Sequence, residues 1–389
     1  MKWANKGHEF DVIGEKFVNV DKIYIYGCGM RGKELAYKLS YCDCVTAFVD
    51  YKAANFPQGL MGKPVYSQQE FLSMNHENAI VIIAMADFVQ VKKILIYAGF
   101  NEGTDLFDDK TFANVYLYIY YLYRFKKLYF DRMNLEVTNV CSLKCKHCVA
   151  YIPFLQHKGH VDYSDLIKDI DTIFNNFDFL NSFDLVGGEP FLYPYLCDVI
   201  EYVFKNYSKK INFCRIFTNG VYSALSKETM QTLFERKIII EWSDYREGIK
   251  DEQTVSIINK NIKGFNEHGI NVSRRCLSWS DYQHGQKRNE LKEDLCTVYN
   301  NCYSRCSHAT GKILLPCLSS YVIHKDVMKI DEEKFNDFIV LDGESNKHVI
   351  LESLLGYTES GYTEMCQYCG GSGPINNKIV VPGKQVKIE

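Results

Sequence analysis

The stretch LEVTNVCSLKCKHC, residues 135–148, decides how the rest of the chain is interpreted. Its first half has the short apolar alternation that is typical of a β-strand. Its second half is a loop with the spacing CxxxCxxC, formed by Cys141, Cys145 and Cys148. Three thiolates on one tight loop can bind three irons of a [4Fe–4S] cube and leave the fourth iron open to an outside ligand. A structural zinc ion would require a fourth protein ligand, and His147 is a strained choice because it is adjacent to Cys148.

Strand-like and helical stretches alternate after this loop. We predict strands at residues 183–188, 212–220, 237–243 and 270–276, with helical stretches between them. Repeated β/α alternation predicts a parallel sheet or a partial barrel, in which ligands bind at the carboxyl ends of the strands. The candidate binding residues at these ends are Gly187, Gly188, Glu189, Pro190, Asn219, Ser243 and Asp244. Glycine suits such a position because it lets the backbone come close to a ligand.

The cysteine loop, the GGEP motif at residues 187–190 and the TNG turn at 218–220 resemble, in this order, the radical S-adenosylmethionine (SAM) superfamily. The resemblance implies that backbone carbonyls of the GGEP motif receive the ammonium group of SAM. It also implies that the strand ends with Asn219, Ser243 and Asp244 line the SAM pocket. In this family the reduced cluster splits SAM into methionine and a 5′-deoxyadenosyl radical, which removes a hydrogen atom from a substrate C–H bond.

A second group of cysteines lies in the loop-rich region that follows residue 290. Its predicted metal ligands are Cys306, Cys317, Cys366 and Cys369. Four thiolates are a complete set for an iron–sulfur cluster or for zinc, so a zinc knuckle stays open as the alternative. The group resembles the shortened SPASM, or Twitch, region of radical SAM enzymes, which implies one auxiliary [4Fe–4S] cluster. Cys296 and Cys302 are competing ligands, and the spacing does not choose between Cys302 and Cys306.

A glycine-rich turn near the start of the chain indicates a further binding site. Gly27, Gly29 and Gly32 form a GxGxxG pattern between two β-type runs, and Asp50 ends the second run. This arrangement is the fingerprint of a Rossmann-like unit, in which the backbone approaches a diphosphate and the acidic residue meets a ribose hydroxyl. The segment also resembles small Rossmann-like domains beside sugar acyltransferases, which implies a nucleotide or nucleotide sugar as ligand. The alternative is a tight turn in a scaffold domain without a ligand.

The composition limits the partners of the chain. The formal net charge is −3, and phosphate binding favours a basic surface, so nucleic acid is not expected as a partner. The apolar runs are about 8–12 residues long, whereas a membrane-spanning helix needs about 20. The chain has 15 cysteines and begins with MKWANKGHEF, which has no apolar signal segment. These features predict a cytoplasmic protein whose cysteines bind metal rather than form disulfides.

The predicted fold class is α/β with three domains. They are a Rossmann-like nucleotide-binding domain at residues 1–112, a partial (β/α)6 radical SAM barrel at 113–290 and a Twitch/SPASM-like auxiliary cluster domain at 291–389. The predicted function is that of a radical SAM oxidoreductase or epimerase acting on a nucleotide-linked sugar or glycan precursor, with an electron donor such as flavodoxin or ferredoxin. Peptide modification is the alternative, although the first residues show no winged-helix pattern for a leader peptide. A non-catalytic iron–sulfur redox or nucleotide sensor is the alternative from another class, and it would not need the GGEP motif.

Overall fold

The computed structural model of the protein describes residues 1–276, 278–282, 287, 291–303, 305–310, 312–317, 319–320, 337–343 and 346–386. The chain forms two compact units. One unit is His8–Tyr129, and the other combines Met1–Gly7 with Phe130–Glu389. Within the described ranges, no helix is both long enough and apolar enough to cross a membrane.

The unit His8–Tyr129 is built on a parallel sheet. Its strands are β1 (Lys22–Tyr26), β2 (Val45–Val49), β3 (Val65–Tyr66), β4 (Ala79–Ile83) and β5 (Leu106–Asp108). Its helices are α1 (Asp11–Val18), α2 (Met30–Leu39), α3 (Gln68–Leu72), α4 (Val89–Tyr97), α5 (Asp109–Thr111) and α6 (Leu117–Phe125), with a π-helical turn at Phe112–Tyr116. The sheet has the order β3-β2-β1-β4-β5. This is the strand order of doubly wound sheets, whose ligands bind where the order reverses.

The Tyr-rich helix α6 is buried, and it packs against a helix of the same unit. All residues from Leu117 to Tyr123 are buried, and the helix packs against α1. The contact is close because Gly14 faces the ring of Tyr123, and the ring of Phe17 meets that of Tyr120 edge-on at 5.7 Å. The apolar character of this run is therefore explained by packing against α1.

The second unit contains a sheet of eight described strands. They are β6 (Tyr129–Thr138), β7 (Phe179–Gly187), β8 (Ile211–Thr218), β9 (Ile239–Ser243), β10 (Asn271–Arg275), β12 (Arg305–Thr310), β13 (Ile313–Cys317) and β14 (Ile339–Val340), while β11 (Trp279–Ser280) pairs separately with β15 (Ile379–Val380). The helices are α7 (Tyr163–Asn176), α8 (Leu196–Tyr207), α9 (Lys227–Glu235), α10 (Glu252–Glu267), α11 (Lys292–Asn301) and α12 (Lys347–Leu354). The sheet order is β10-β9-β8-β7-β6-β12-β13-β14, and β7 to β10 are parallel neighbours. The predicted α/β class with a parallel sheet is confirmed.

The two faces of this sheet differ in polarity. One face is apolar and packs on helices, as the ring of Phe174 in α7 does at 5.3 Å from the ring of Phe183 in β7. On the other face, Asp184 of β7 accepts two hydrogen bonds from the guanidinium of Arg215 in β8, at 2.8 and 2.6 Å. Because side chains alternate along a strand, the core lies between the apolar face and the helices. Ligands of parallel sheets bind at the carboxyl ends of the strands.

The region after residue 290 joins the same sheet. Strand β12 pairs in parallel with β6 through His308 and Ala309, which lie opposite Asn134 and Leu135. Strands β13 and β14 then continue the sheet in antiparallel pairing. The predicted division into three domains stays a prediction, since the two compact units are the division that the contacts define.

Candidate active site

The three cysteines of the CxxxCxxC motif lie on the loop that follows β6. Cys145 is buried, and Cys141 and Cys148 are half-buried. The loop turns tightly, with the backbone N–H of Cys148 donating to the carbonyl of Cys145 at 3.3 Å and the N–H of Tyr151 donating to the carbonyl of Cys148 at 3.0 Å. The sequence folds this way because β6 ends at Thr138, whose hydroxyl accepts from the N–H of Val140 and turns the chain.

The environment of this loop fits an iron–sulfur cluster. Cys141 and Cys148 pack against a small apolar cluster formed by Ala150, Ile152 and Leu155. Among the described residues, no three His, Cys, Asp or Glu side chains converge on a single metal ion. A [4Fe–4S] cube does not require such convergence, because each thiolate binds a different iron atom at a different corner. The three thiols of the loop supply ligands for three corners of such a cube.

Burial keeps the thiols of this loop protonated unless a cation is near. It raises the pKa of Cys141 and of Cys145 to about 12. It also raises the pKa of Cys148. A metal ion reverses this effect, because a coordinated thiol is deprotonated by the positive charge beside it. The buried thiols of this loop therefore need bound iron to lose their protons and become thiolates.

The glycines of the GGEP motif let β7 end directly against the start of the cysteine loop. A Cβ atom on Gly187 would lie 2.1 Å from the carbonyl oxygen of Thr138, and one on Gly188 would lie 2.2 Å from that of Val140. The N–H of Gly188 donates to the carbonyl of Thr138 at 2.7 Å. Only residues without a side chain allow this approach, so the backbone at 187–188 lies beside the loop, and its predicted part in binding SAM stays a prediction.

Glu189 is completely buried and connects the ends of β7 and β8. Its carboxylate accepts from the hydroxyl of Thr218 at 2.8 Å, from the N–H of Asn219 at 2.8 Å and from the N–H of Phe191 at 3.2 Å. Burial raises the pKa of Glu189 to about 7, although these donors favour the ionised form. Pro190 then begins a short 3-10 turn, Pro190–Leu192.

Asn219 brings the end of β8 to the cysteine loop. Its side-chain Nδ2 lies 3.5 Å from Sγ of Cys141 and 3.4 Å from the hydroxyl of Ser142. A cavity of about 400 Å³ opens beside Ser142, and Tyr222 and Asn261 contribute to its walls. The predicted residues 187–189 and Asn219 therefore meet the cysteine loop at one edge of the sheet.

Ser243 and Asp244 end the neighbouring strand β9. Asp244 is half-buried, with 5% of its side chain exposed, and its carboxylate accepts from the guanidinium groups of Arg246, at 2.8 and 2.7 Å, and of Arg274, at 2.8 Å. Burial works against ionisation, but these hydrogen bonds lower the pKa of Asp244. Both guanidinium groups also lie over the ring of Trp242. The carboxylate is thus engaged by protein cations, and its predicted part in binding SAM stays a prediction.

Two contacts of the cysteine loop were not predicted. His147 Nδ1 lies 3.2 Å from a carboxylate oxygen of Asp281, and Gln385 donates from Nε2 to Sγ of Cys145 at 3.5 Å. Both partners come from segments far along the chain with no motif of their own. The only local sequence feature that indicates such a contact is His147, a polar side chain within the loop that carries the three cysteines.

The second group of cysteines is described in part. Cys366 packs with Leu295, Tyr299 and Cys296, and burial raises the pKa of its thiol to about 12. Sγ of Cys369 accepts from the N–H of Gly371 at 3.4 Å, and Cys302 and Cys317 are half-buried. The side chain of Cys306 lies outside the described residues. Cys296 and Cys302 lie on and directly after α11, which contacts the turn Glu364–Tyr368 that carries Cys366. Both therefore stay candidates, and the ligand set stays a prediction.

The glycine-rich turn of the unit His8–Tyr129 follows β1 and begins α2. Gly27 and Gly32 are required for packing, since a Cβ on Gly32 would lie 2.0 Å from the carbonyl oxygen of Gly27. Gly29, at the start of α2, has open space where a Cβ would lie. The Asp50 carboxylate accepts from the N–H of Cys28 at 2.8 Å. The turn and the acidic residue therefore meet at the switch point of the sheet, and their ligand stays a prediction.

Comparison with known proteins gives one curated relative. No protein-family model matches the chain. The antilisterial bacteriocin subtilosin biosynthesis protein AlbA of Bacillus subtilis (strain 168) is 30% identical over 149 residues. The alignment covers 35% of this chain and 31% of AlbA, so it spans about a third of that relative's length.

Solved structures give partial likenesses. BtrN in complex with AdoMet and 2-DOIA is 18% identical with a TM-score of 0.39, over 62% of this chain and 93% of BtrN. SuiB of Streptococcus suis bound to S-adenosylmethionine is 17% identical with a TM-score of 0.31, over 56% of this chain and 49% of SuiB. Since both TM-scores are below 0.5, these likenesses assign no activity.

Proposed function

We propose that this chain is a SAM-dependent radical enzyme with its catalytic [4Fe–4S] cluster on Cys141, Cys145 and Cys148. One observation supports this proposal above the others. The three thiols, the backbone of Gly187 and Gly188 and the amide of Asn219 meet at one carboxyl edge of a parallel sheet. The cluster, when bound, supplies the electron that splits SAM and yields the 5′-deoxyadenosyl radical.

In this proposal, the residues of the chain bind the cluster and orient SAM. The thiolates hold three irons, and the apolar residues beside Cys141 and Cys148 exclude water. The close backbone at 187–188 offers carbonyl oxygens to the SAM ammonium group. Glu189 keeps the ends of β7 and β8 at a fixed separation through its three hydrogen bonds. In the proposed assignment, Asn219, Ser243 and Asp244 line the rest of the SAM pocket.

An auxiliary [4Fe–4S] cluster is proposed for the second group of cysteines. Cys317, Cys366 and Cys369 would bind it, together with Cys306 or Cys302. Such a cluster would accept the second electron from a substrate radical, which gives a net oxidation. Epimerisation instead returns a hydrogen atom, so solvent deuterium in the product would distinguish the two outcomes. Flavodoxin or ferredoxin is the proposed electron donor.

Two substrate classes are proposed, each on a separate observation. A nucleotide-linked sugar or glycan precursor is supported by the doubly wound sheet of His8–Tyr129 and its open position at Gly29. A peptide is supported by the alignment with AlbA, a bacteriocin biosynthesis protein. Melting temperatures measured with added ligands distinguish the two substrate classes, because a ligand that binds the native state raises the melting temperature. We would compare UDP-sugars and NAD with ribosomally made precursor peptides.

The activity is tested by 5′-deoxyadenosine production. The protein is reconstituted with iron and sulfide without oxygen, reduced, and given SAM, with Cys145→Ala as the control. We expect the wild type to form 5′-deoxyadenosine and the variant to form none. A wild type that carries a full iron load and forms none, with sugar nucleotides or peptides added, would refute the proposal and favour the sensor.

A further inference from the structure

Residues 384–386 pair with the cysteine loop around an isolated antiparallel bridge, although 240 positions separate Gln385 from Cys145. The N–H of Lys146 donates to the carbonyl of Lys384 at 2.7 Å, and the N–H of Val386 donates to the carbonyl of Lys144 at 2.8 Å. Cys145 and Gln385 are the partners of an antiparallel bridge between these two bonds. The loop that carries the thiols is therefore paired on one side by a distant segment.

The side chain of Gln385 completes this pairing. Its Oε1 accepts from the N–H of Lys144 at 2.6 Å, which orients the amide group. Its Nε2 then donates to the carbonyl of Gly383 at 2.5 Å and lies 3.5 Å from Sγ of Cys145. An amide oriented in this way directs its remaining N–H to the sulfur.

Close glycine contacts hold the segment in place. Gly383 has a φ of +76°, and a Cβ there would lie 2.5 Å from Cβ of Tyr245. A Cβ on Gly248 would lie 2.1 Å from the carbonyl oxygen of Pro382. The segment also follows β15, which pairs with β11. These contacts fix the backbone at 382–383 from outside the cysteine loop.

We propose that residues 382–386 are part of the cluster site and that Gln385 is a positioning residue for the thiolate of Cys145. The inference rests on the proposed function, since it assigns Cys145 to iron. A hydrogen bond to a coordinating sulfur withdraws electron density and favours the reduced cluster, and such outer contacts also retain metal. Gln385 thus makes the cluster easier to reduce and slows its loss.

The test uses the full chain with its cluster reconstituted. Gln385→Leu removes the donor with little change in size, and Gln385→Glu replaces it with a negative charge. Gln253→Leu makes the same exchange at an exposed position of α10 and is the matched control. Reduction potentials are measured by EPR-monitored titration, and iron release is measured with a chelator in excess.

We expect both Gln385 variants to shift the cluster potential to more negative values, the Glu variant further than the Leu variant. Iron release should become about tenfold faster in both, as is typical when an outer contact of a metal site is removed. Gly383→Val, which displaces the segment and leaves Gln385 unchanged, should shift both quantities in the same direction. The Gln253 variant should behave like the wild type.

The outcomes separate this inference from the proposed function. If the wild type takes up no [4Fe–4S] cluster, by iron content and absorbance, the proposed function fails and this inference fails with it. If the wild type carries the cluster and both Gln385 variants keep its potential and its iron release, the assignment of Gln385 alone is overturned. Faster iron release with an unchanged potential would also overturn it, because the hydrogen bond to sulfur would then be absent.

Discussion

Replacing Glu189 by alanine should destabilise the unit that contains the cysteine loop. The change leaves two buried donors, the hydroxyl of Thr218 and the N–H of Asn219, without the acceptor that each has at 2.8 Å. An unsatisfied buried donor costs about 1–3 kcal/mol, so we expect a loss of about 3 kcal/mol in the free energy of unfolding at pH 5.5. Since Asn219 also contacts Cys141, the variant should bind iron poorly after reconstitution.

Tryptophan fluorescence in a urea titration measures this loss of stability in the compact unit that contains Glu189. The chain has three tryptophans, Trp3, Trp242 and Trp279, and all belong to the unit of residues 1–7 and 130–389. The control is Glu201→Ala, because Glu201 pairs with Arg236 on the surface, with 45% of its side chain exposed. That change should alter stability by less than about 1 kcal/mol.

The pH dependence follows from the raised pKa of Glu189. Its folded-state pKa of about 7 lies above the ordinary value of 4.5, so the folded protein holds the proton more tightly. The stability that the folded protein gains from this tighter proton binding is present in full below pH 4.5 and is lost as the pH rises to 7. The difference in stability between wild type and Glu189→Ala should therefore shrink by about 2 kcal/mol between pH 5 and pH 8. A variant within 1 kcal/mol of the wild type at pH 5.5, or a difference that grows with pH, would show that Glu189 does not connect the strands as described.

Four glycine substitutions give further tests. Gly188→Ala places a Cβ 2.2 Å from a backbone oxygen of the loop, so we expect lower iron content and no detectable 5′-deoxyadenosine. Gly264→Ala lies in α10 with nothing within 4 Å and should raise the free energy of unfolding by about 0.5–1 kcal/mol, measured by the same urea titration. In the other unit, Gly32→Ala should lower the melting temperature measured by circular dichroism, while Gly29→Ala should leave it within about 2 °C. Equal melting temperatures for Gly29 and Gly32 variants would contradict the packing described for the turn.

The strand-end motifs could be predicted because each is a local pattern. The strand predicted at 212–220 is β8, Ile211–Thr218, and the one predicted at 237–243 is β9, Ile239–Ser243. Strand β7 begins at Phe179, four residues before the predicted start, because its polar residues Asn181 and Ser182 interrupt the apolar run. Asn181 is stabilised there by a hydrogen bond to Asp131 on β6, which no local pattern shows.

Long-range pairing could not be predicted from such patterns. Strand β12 has the sequence RCSHAT, without apolar alternation, yet it extends the sheet at the edge of β6. Gln385 has no neighbours in sequence that suggest a metal site, and its role depends on a backbone pairing with Lys144 and Lys146. A single sequence holds no record of such pairings, because they are set by the packing of whole segments.

The contacts around the cysteine loop share one physical effect, which is to keep its sulfur atoms in place. A buried thiolate is costly, so a loop that binds a cluster must hold its sulfurs in place before iron arrives. The loop is held at separate points by Asn219, by Asp281 and by Gln385, and each contact comes from a different segment. Rigid support from several segments limits rearrangement of the loop when the thiols lose their protons. Since two of the three contacts are made from beyond residue 280, a chain shortened to the parallel strands alone should bind iron less tightly than the full chain.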